Sequence, residues 1–214
     1  MFLIGAGGHA RAVAGSVLAL ADTGFGALAG VVGRDDEPGD MFDVPLGAGK
    51  PLRLAIVRGD AAFRRAHPPT GDTVLLIGIG IRPNRADAGV SARRRAYEAY
   101  RREGYDLPTL IDPSAVFRGR AAAGAQVMAG AVVQTGADIG ENAVVNTGVC
   151  VDHDCRIGAH AFLGPGAVLC GDVEIGAGAL VGAGATVLPG VAVAADAVVR
   201  AGTVVARDLA AATP

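Results

Sequence analysis

From Val127 to Val205 every sixth residue is a branched aliphatic: Val127, Val133, Ile139, Val145, Val151, Ile157, Leu163, Leu169, Ile175, Val181, Val187, Val193, Val199 and Val205. Two residues ahead of each stands a small or slender one, in a column that runs from Ala125 and Ala131 through Cys155 to Thr203. A period of six with one large and one small inward position is the mark of a parallel β-solenoid. Three hexads close one triangular coil, so about five coils stack at roughly 4.8 Å, with the aliphatic column filling the middle.

Composition follows from the repeat. Glycine is abundant, 33 of 214 residues, and aromatics make up 4%, because a narrow interior takes aliphatic and alanine side chains while its corners take glycine. With 51% hydrophobic residues the chain has material for two modest domains. The net charge is -2, with 14 basic and 13 acidic groups in the first 112 residues and 5 and 8 in the remainder. No basic face suggests a nucleic acid partner. The odd set Cys150, Cys155 and Cys170 reads as reduced, mostly structural thiols of a cytoplasmic protein. The apolar opening MFLIGAGG is too short and glycine-broken for a membrane span or signal peptide.

Ahead of the repeat, residues 1–111 read as an α/β, Rossmann-like nucleotide-binding domain. Phe2–Ile4 predicts a buried strand, Gly5–His9 a glycine turn and Ala10–Ala21 a helix. Leu28–Val32 is a second strand ending at Asp35 and Asp36. Residues 37–50 read as loop, Leu54–Ala66 as helix, Thr73–Ile79 as a buried strand and Ser91–Arg102 as helix. The arginines of that last helix, Arg93, Arg94, Arg95, Arg101 and Arg102, read as a solvated face. The solenoid follows over 112–207, and 208–214 form a frayed tail.

Two constellations carry chemistry. Gly5-Ala6-Gly7-Gly8-His9-Ala10 satisfies G-x-G-x-x-[GA] between a strand and a helix, where backbone N–H groups hold a phosphate. Asp35 and Asp36 follow the second strand, the place where such folds put carboxylates for a ribose or base. A plain tight turn and a solvated loop are the competing readings, and His9 divides evenly between surface and site. The second constellation is Asp152-His153-Asp154 in a hexad whose neighbours carry Gly and Ala. His153 lies at neither inward position, flanked by carboxylates able to orient it and raise its basicity, which suits a general base. His160 reads as an exposed corner histidine. No metal site is expected, because residues adjacent on extended chain cannot converge on one ion.

Gly5-Ala6-Gly7-Gly8-His9-Ala10, Ile77-Gly78-Ile79-Gly80, Leu110-Ile111-Asp112-Pro113, Asn146-Thr147-Gly148 and Val151-Asp152-His153-Asp154-Cys155 occur in that order. Together they resemble the sugar O-/N-acetyltransferase family that includes the sialic acid O-acetyltransferases and the bacillosamine and perosamine N-acetyltransferases. The resemblance implies a left-handed parallel β-helix, a homotrimer, acetyl-CoA between adjacent β-helices and a nucleotide-linked sugar on the N-terminal domain. It implies His153 as catalytic base, Asp154 as the acid that strengthens it and Asn146 as an active-site neighbour. Gly7, Gly8, His9, Asp35, Asp36 and Gly80 match nucleotide-sugar positions, and Ala183 and Ala201 match acetyl-CoA positions. Three departures stand out. Phe162 replaces a second histidine that contacts acetyl-CoA, Ile81-Arg82-Pro83 replaces an Asp/Asn-Asn pair, and a terminal G-x-P-A segment is absent. The acceptor is read as an amine, with a sugar hydroxyl as the nearest rival and a non-catalytic binding trimer as a third reading.

Overall fold

The computed structural model describes residues 1–46, 50–81 and 90–210. The chain divides into two compact units, Met1–Pro108 and Thr109–Pro214.

The first unit is built on a five-stranded sheet of β1 (Phe2–Ile4), β2 (Gly30–Gly33), β3 (Met41–Val44), β4 (Leu52–Arg58) and β5 (Leu75–Ile77). Its order is β3-β4-β2-β1-β5. The central pairs β1–β2, β1–β5 and β2–β4 are parallel, and edge strand β3 runs antiparallel to β4. Residues 75–77 and 31–32 are buried throughout, as parallel strands covered on both faces must be. Helix α1 (Gly8–Ala19) buries Ala10, Val13, Ala14 and Val17, the i, i+3, i+4, i+7 stripe of a core-facing helix. Helices α2 (Asp60–Ala66) and α3 (Val90–Arg102) add Phe63, Tyr97 and Tyr100 to a core shared with Tyr105 and Leu107. The Tyr100 and Tyr105 rings meet edge to face at 5.2 Å.

This unit corrects the expected Rossmann-like domain. A Rossmann fold joins two βαβαβ halves into a mostly parallel sheet of six strands. Here the unit is small, with three α-helices among the described residues, and its sheet ends in the antiparallel pair β3–β4. The expected pairing of a Rossmann-like domain with a left-handed β-helix is therefore replaced by a small α/β unit followed by a β-solenoid of about five turns.

Two local expectations change with it. β3 occupies part of the predicted loop 37–50, and the predicted helix Leu54–Ala66 is instead β4 followed by the shorter α2. Gly59 at φ 79° separates the two. Arg93 leaves the predicted solvated face altogether, being 1% exposed. Its Nη1 donates to the carbonyls of Ile77 at 2.7 Å and Ile79 at 3.4 Å. Burial pulls the guanidinium down to about 9, still above neutral, so it holds the end of β5 as a cation.

In the second unit every strand is two residues long and pairs in parallel with the strand one coil away. Three faces result. The first carries Val132–Val133, Cys150–Val151, Val168–Leu169 and Thr186–Val187; the second Asp138–Ile139, Arg156–Ile157 and Glu174–Ile175; the third Val144–Val145, Phe162–Leu163 and Leu180–Val181. The second residue of each pair points inward. With the small column ahead of it, this residue forms one continuous core in which Val133, Val145, Val151, Leu163, Leu169 and Val181 are fully buried. Ion pairs Arg120–Asp138 and Arg156–Glu174 line the outside of the second face.

The start of the predicted frayed tail is ordered. Leu209 bridges Val193 in parallel, its N–H donating to Ala192 O at 2.9 Å, and Asp208 Oδ1 accepts the Ala192 N–H at 2.9 Å. Residues 211–214 lie outside the described residues. Among the described residues no helix is long and apolar enough to cross a membrane.

Candidate active site

Each solenoid corner is a tight turn, and the corner leaving the first face is Asp152-His153-Asp154-Cys155. Asp152 Oδ1 accepts the His153 N–H at 2.8 Å, which closes the turn locally. Asp154 adopts φ 61°, a left-handed conformation that aspartate tolerates. That twist returns its carboxylate to the preceding ring, where Oδ2 lies 2.9 Å from His153 Nδ1. Beneath, Gly136 stands at φ 83°, and a Cβ there would strike the Asp154 carboxylate. The glycine makes room for the acid.

The pair is exposed, with side-chain accessibilities of 62% and 67%. The hydrogen bond to Asp154 raises the imidazole above its ordinary 6.5, and the charges of Asp152, Asp154 and Asp172 reinforce it against the opposing effect of burial. A neutral ring donating Nδ1–H to Asp154 presents the Nε2 lone pair outward.

Asn146 occupies the corner that leads into the first face, its Oδ1 accepting the Thr147 N–H at 2.8 Å. Ala183 and Ala201 share that edge, in exposed corners of later coils. The structure thus brings His153 together with Asp154, and aligns Asn146, Ala183 and Ala201 along the opposite edge of the same face. Between the two edges runs a shallow groove of about 260 Å³, lined by Val132, Gln134, Cys150, Asp152, Val168 and Cys170. A larger groove of about 810 Å³ lies on the second face around Arg156 and Glu174 and contains none of these residues. Phe162 is on the third face, only 7% exposed, and lies on neither edge.

His160 is no free surface histidine. Asn142, fully buried, places Nδ2 3.0 Å from His160 Nδ1, and both residues take left-handed corner conformations one coil apart. Cys155 is buried with its Sγ 3.1 Å from Cys170 O, and burial pushes its thiol up, as befits a structural thiol. All three cysteines are free, and no cluster of metal-ligating side chains occurs among the described residues.

In the first unit the glycine turn leaves β1 and enters α1, whose N-cap, Gly7, provides no side-chain cap for the first N–H groups. A Cβ on Gly7 or Gly8 would meet nothing within 4 Å, so open space borders the helix start. Gly80 packs against His9: a Cβ there would come within 2.9 Å of the His9 Cβ. Gly5, Gly7, Gly8, His9 and Gly80 are therefore one cluster at the carboxyl ends of β1 and β5. Asp35 and Asp36 leave β2 at the same end of the sheet, both exposed, with Asp36 paired to Arg34 at 3.4 Å. Arg82 and Pro83, the departure noted in sequence, lie outside the described residues.

Sequence inspection alone missed Gly136 and Gly171, where an added Cβ would strike the Asp154 carboxylate and the His153 ring. Their spacing from Asp154 and His153, one coil, was the available signal.

Residues 154–188 match the family described as bacterial transferase hexapeptide (six repeats), and 124–153 and 172–207 match the hexapeptide repeat of succinyl-transferase. That defines the repeat of the second unit as a hexapeptide repeat of the transferase type. A histidine-to-asparagine variant of perosamine N-acetyltransferase from Caulobacter crescentus, in complex with CoA and GDP-perosamine, is 35% identical. The match covers 97% of this chain and 89% of that one, with a TM-score of 0.80. The acetyltransferase domain of PglB from Neisseria gonorrhoeae, in complex with acetyl coenzyme A, is 28% identical over 97% and 91% of the two chains, with a TM-score of 0.78. No curated protein matches the sequence significantly. The chain belongs to the sugar acetyltransferases of the hexapeptide-repeat family.

Proposed function

We propose that this protein transfers the acetyl group of acetyl-CoA to the amino group of a nucleotide-linked sugar, directly and with His153 as general base. The observation that carries the reading is the His153–Asp154 pair, aligned at 2.9 Å on a solenoid corner. In this reaction the sugar nitrogen attacks the thioester carbon, His153 Nε2 takes the nitrogen's proton, the carbon–sulfur bond breaks, and the departing CoA thiolate takes that proton from the imidazolium. Asp154 holds the ring in the tautomer that leaves Nε2 free and stabilises the imidazolium that forms. A backbone N–H of a neighbouring coil serves the thioester oxygen.

His153 and Asp154 occupy one edge of the first face, and Asn146, Ala183 and Ala201 the other. One copy cannot close a pocket around both edges, so the acetyl-CoA site is shared between copies in a homotrimer. The outward residues of this face support the arrangement: Val116, Val168 and Val204 are 45%, 37% and 67% exposed, an apolar stripe suited to burial. The nucleotide sugar lies over Gly7, Gly8 and His9, its phosphates at the start of α1 and its base or ribose toward Asp35 and Asp36. Free thiols and an acetyl-CoA donor suit the cytoplasm.

The decisive experiment incubates the protein with acetyl-CoA and GDP-, UDP- and dTDP-linked amino and hydroxy sugars, reading released CoA thiol and product mass. Acetylation of an amino sugar supports the reading, acetylation only of hydroxyls moves the acceptor to oxygen, and no turnover with any sugar overturns it. Light scattering should give three copies per particle.

Two further results are expected. Because a base works deprotonated and this imidazole is raised, kcat/KM should climb with pH through a midpoint above 6.5. Asp154→Asn removes the group that raises it, so the midpoint should move to lower pH. Gly8→Leu should leave folding intact, since Gly8 is exposed, a Cβ there meets nothing within 4 Å, and helix propensity favours leucine. It should raise KM for the nucleotide sugar about tenfold or more, through a clash with bound phosphate, and leave KM for acetyl-CoA unchanged.

A further inference from the structure

We propose that Gly171 is a positioning residue for His153: the bare Cα of the next coil is the seat on which the imidazole rests, and it fixes where Nε2 points. This rests on the reading of His153 as the base.

The corner column that contains His153 reads Thr135, His153, Gly171 and Pro189, each one coil from the next. Threonine and proline fill the same turn in the neighbouring coils, so the turn itself has no need of glycine. The backbone of Gly171 agrees, because its φ lies outside the left-handed region in which a side chain is strained. What glycine provides is space. A Cβ on Gly171 would lie 2.5 Å from both Cε1 and Nε2 of His153, far inside contact distance. The one-residue-later column makes the contrast: Gly136, Asp154, Asp172 and Gly190 all have φ between 60° and 83°, a left-handed conformation that by itself favours glycine, which the Gly171 backbone lacks.

The ring is thereby fixed at two points. Asp154 holds Nδ1 at 2.9 Å, and the chain of the next coil is tied to the histidine by Asp172 N–H donating to His153 O at 3.0 Å. With Gly171 directly under Cε1 and Nε2, the imidazole lies along the solenoid edge. A methyl group at this position would displace the far end of a side chain, which is cheap for the fold, and would redirect the proton-accepting nitrogen, which is costly for the reaction.

The test compares kcat, KM and the His153 titration in Gly171→Ala, His153→Ala and the double variant of the full chain. Misplacement of about 1 Å in a catalytic group can cost on the order of a hundredfold. Gly171→Ala should therefore lower kcat by about ten- to a hundredfold with KM for acetyl-CoA unchanged, and thermal stability should stay near that of the parent. By NMR, the His153 titration, assigned by its absence in His153→Ala, should move toward the ordinary histidine value of roughly 6.5 as the Asp154 bond loosens. In the His153→Ala background the same glycine change should have no further effect, because no ring remains to displace. Parental kcat in Gly171→Ala, an equal loss in both backgrounds, or a chain that fails to fold would each overturn the proposal. If His153→Ala itself keeps parental activity, the base assignment fails; if it is inactive while Gly171→Ala is fully active, the seat alone fails.

Discussion

His153→Ala is expected to lower kcat by about 10²- to 10⁴-fold, the usual worth of a positioned general base. KM for acetyl-CoA should hardly change, because the ring contributes a lone pair to the transition state and little to ground-state binding. The fold should be indifferent as well. The side chain is 62% exposed, and the turn is closed by Asp152 and by the backbone rather than by the imidazole. Steady-state kinetics with circular dichroism on the same preparation reads both expectations. Turnover within a few-fold of the parent would remove His153 from the chemistry.

The largest expected effect on stability comes from Leu169→Ala. Leu169 is fully buried and stands in register between Val151 and Val187, so three successive coils meet at its side chain. Truncation leaves a cavity that a hydrogen-bonded coil cannot collapse to fill, and such changes cost about 2–5 kcal/mol. Urea denaturation should show the loss in the solenoid transition. A cost below about 1 kcal/mol would mean that the column packs loosely.

The solenoid was legible because its evidence is periodic. One inward aliphatic every six residues is a constraint no other arrangement of this length meets, and His153 stood out because its hexad breaks the Gly and Ala pattern. The α/β unit was less legible. Leu52–Arg58 and Asp60–Ala66 merge into one apolar and charged stretch, and only Gly59 followed by Asp60, a breaker and then an acidic first turn, marks the division. Arg93 is indistinguishable in sequence from the arginines around it, since its burial depends on carbonyls 14 and 16 residues away. His160 and Gly171 could have been placed by counting one coil from Asn142 and from His153. Neighbours along a solenoid are neighbours across its period, and local windows do not show them.

Asp208 and Leu209 have a role beyond their own packing. A stack of short parallel strands exposes at each end a row of unpaired peptide groups, which invites other chains to continue the stack. Asp208 and Leu209 bond to Ala192 and Ala194 and occupy that row on one of the three faces. The prism carries its own stopper there, and a chain cut after Arg207 would present an open template for fibre-like growth.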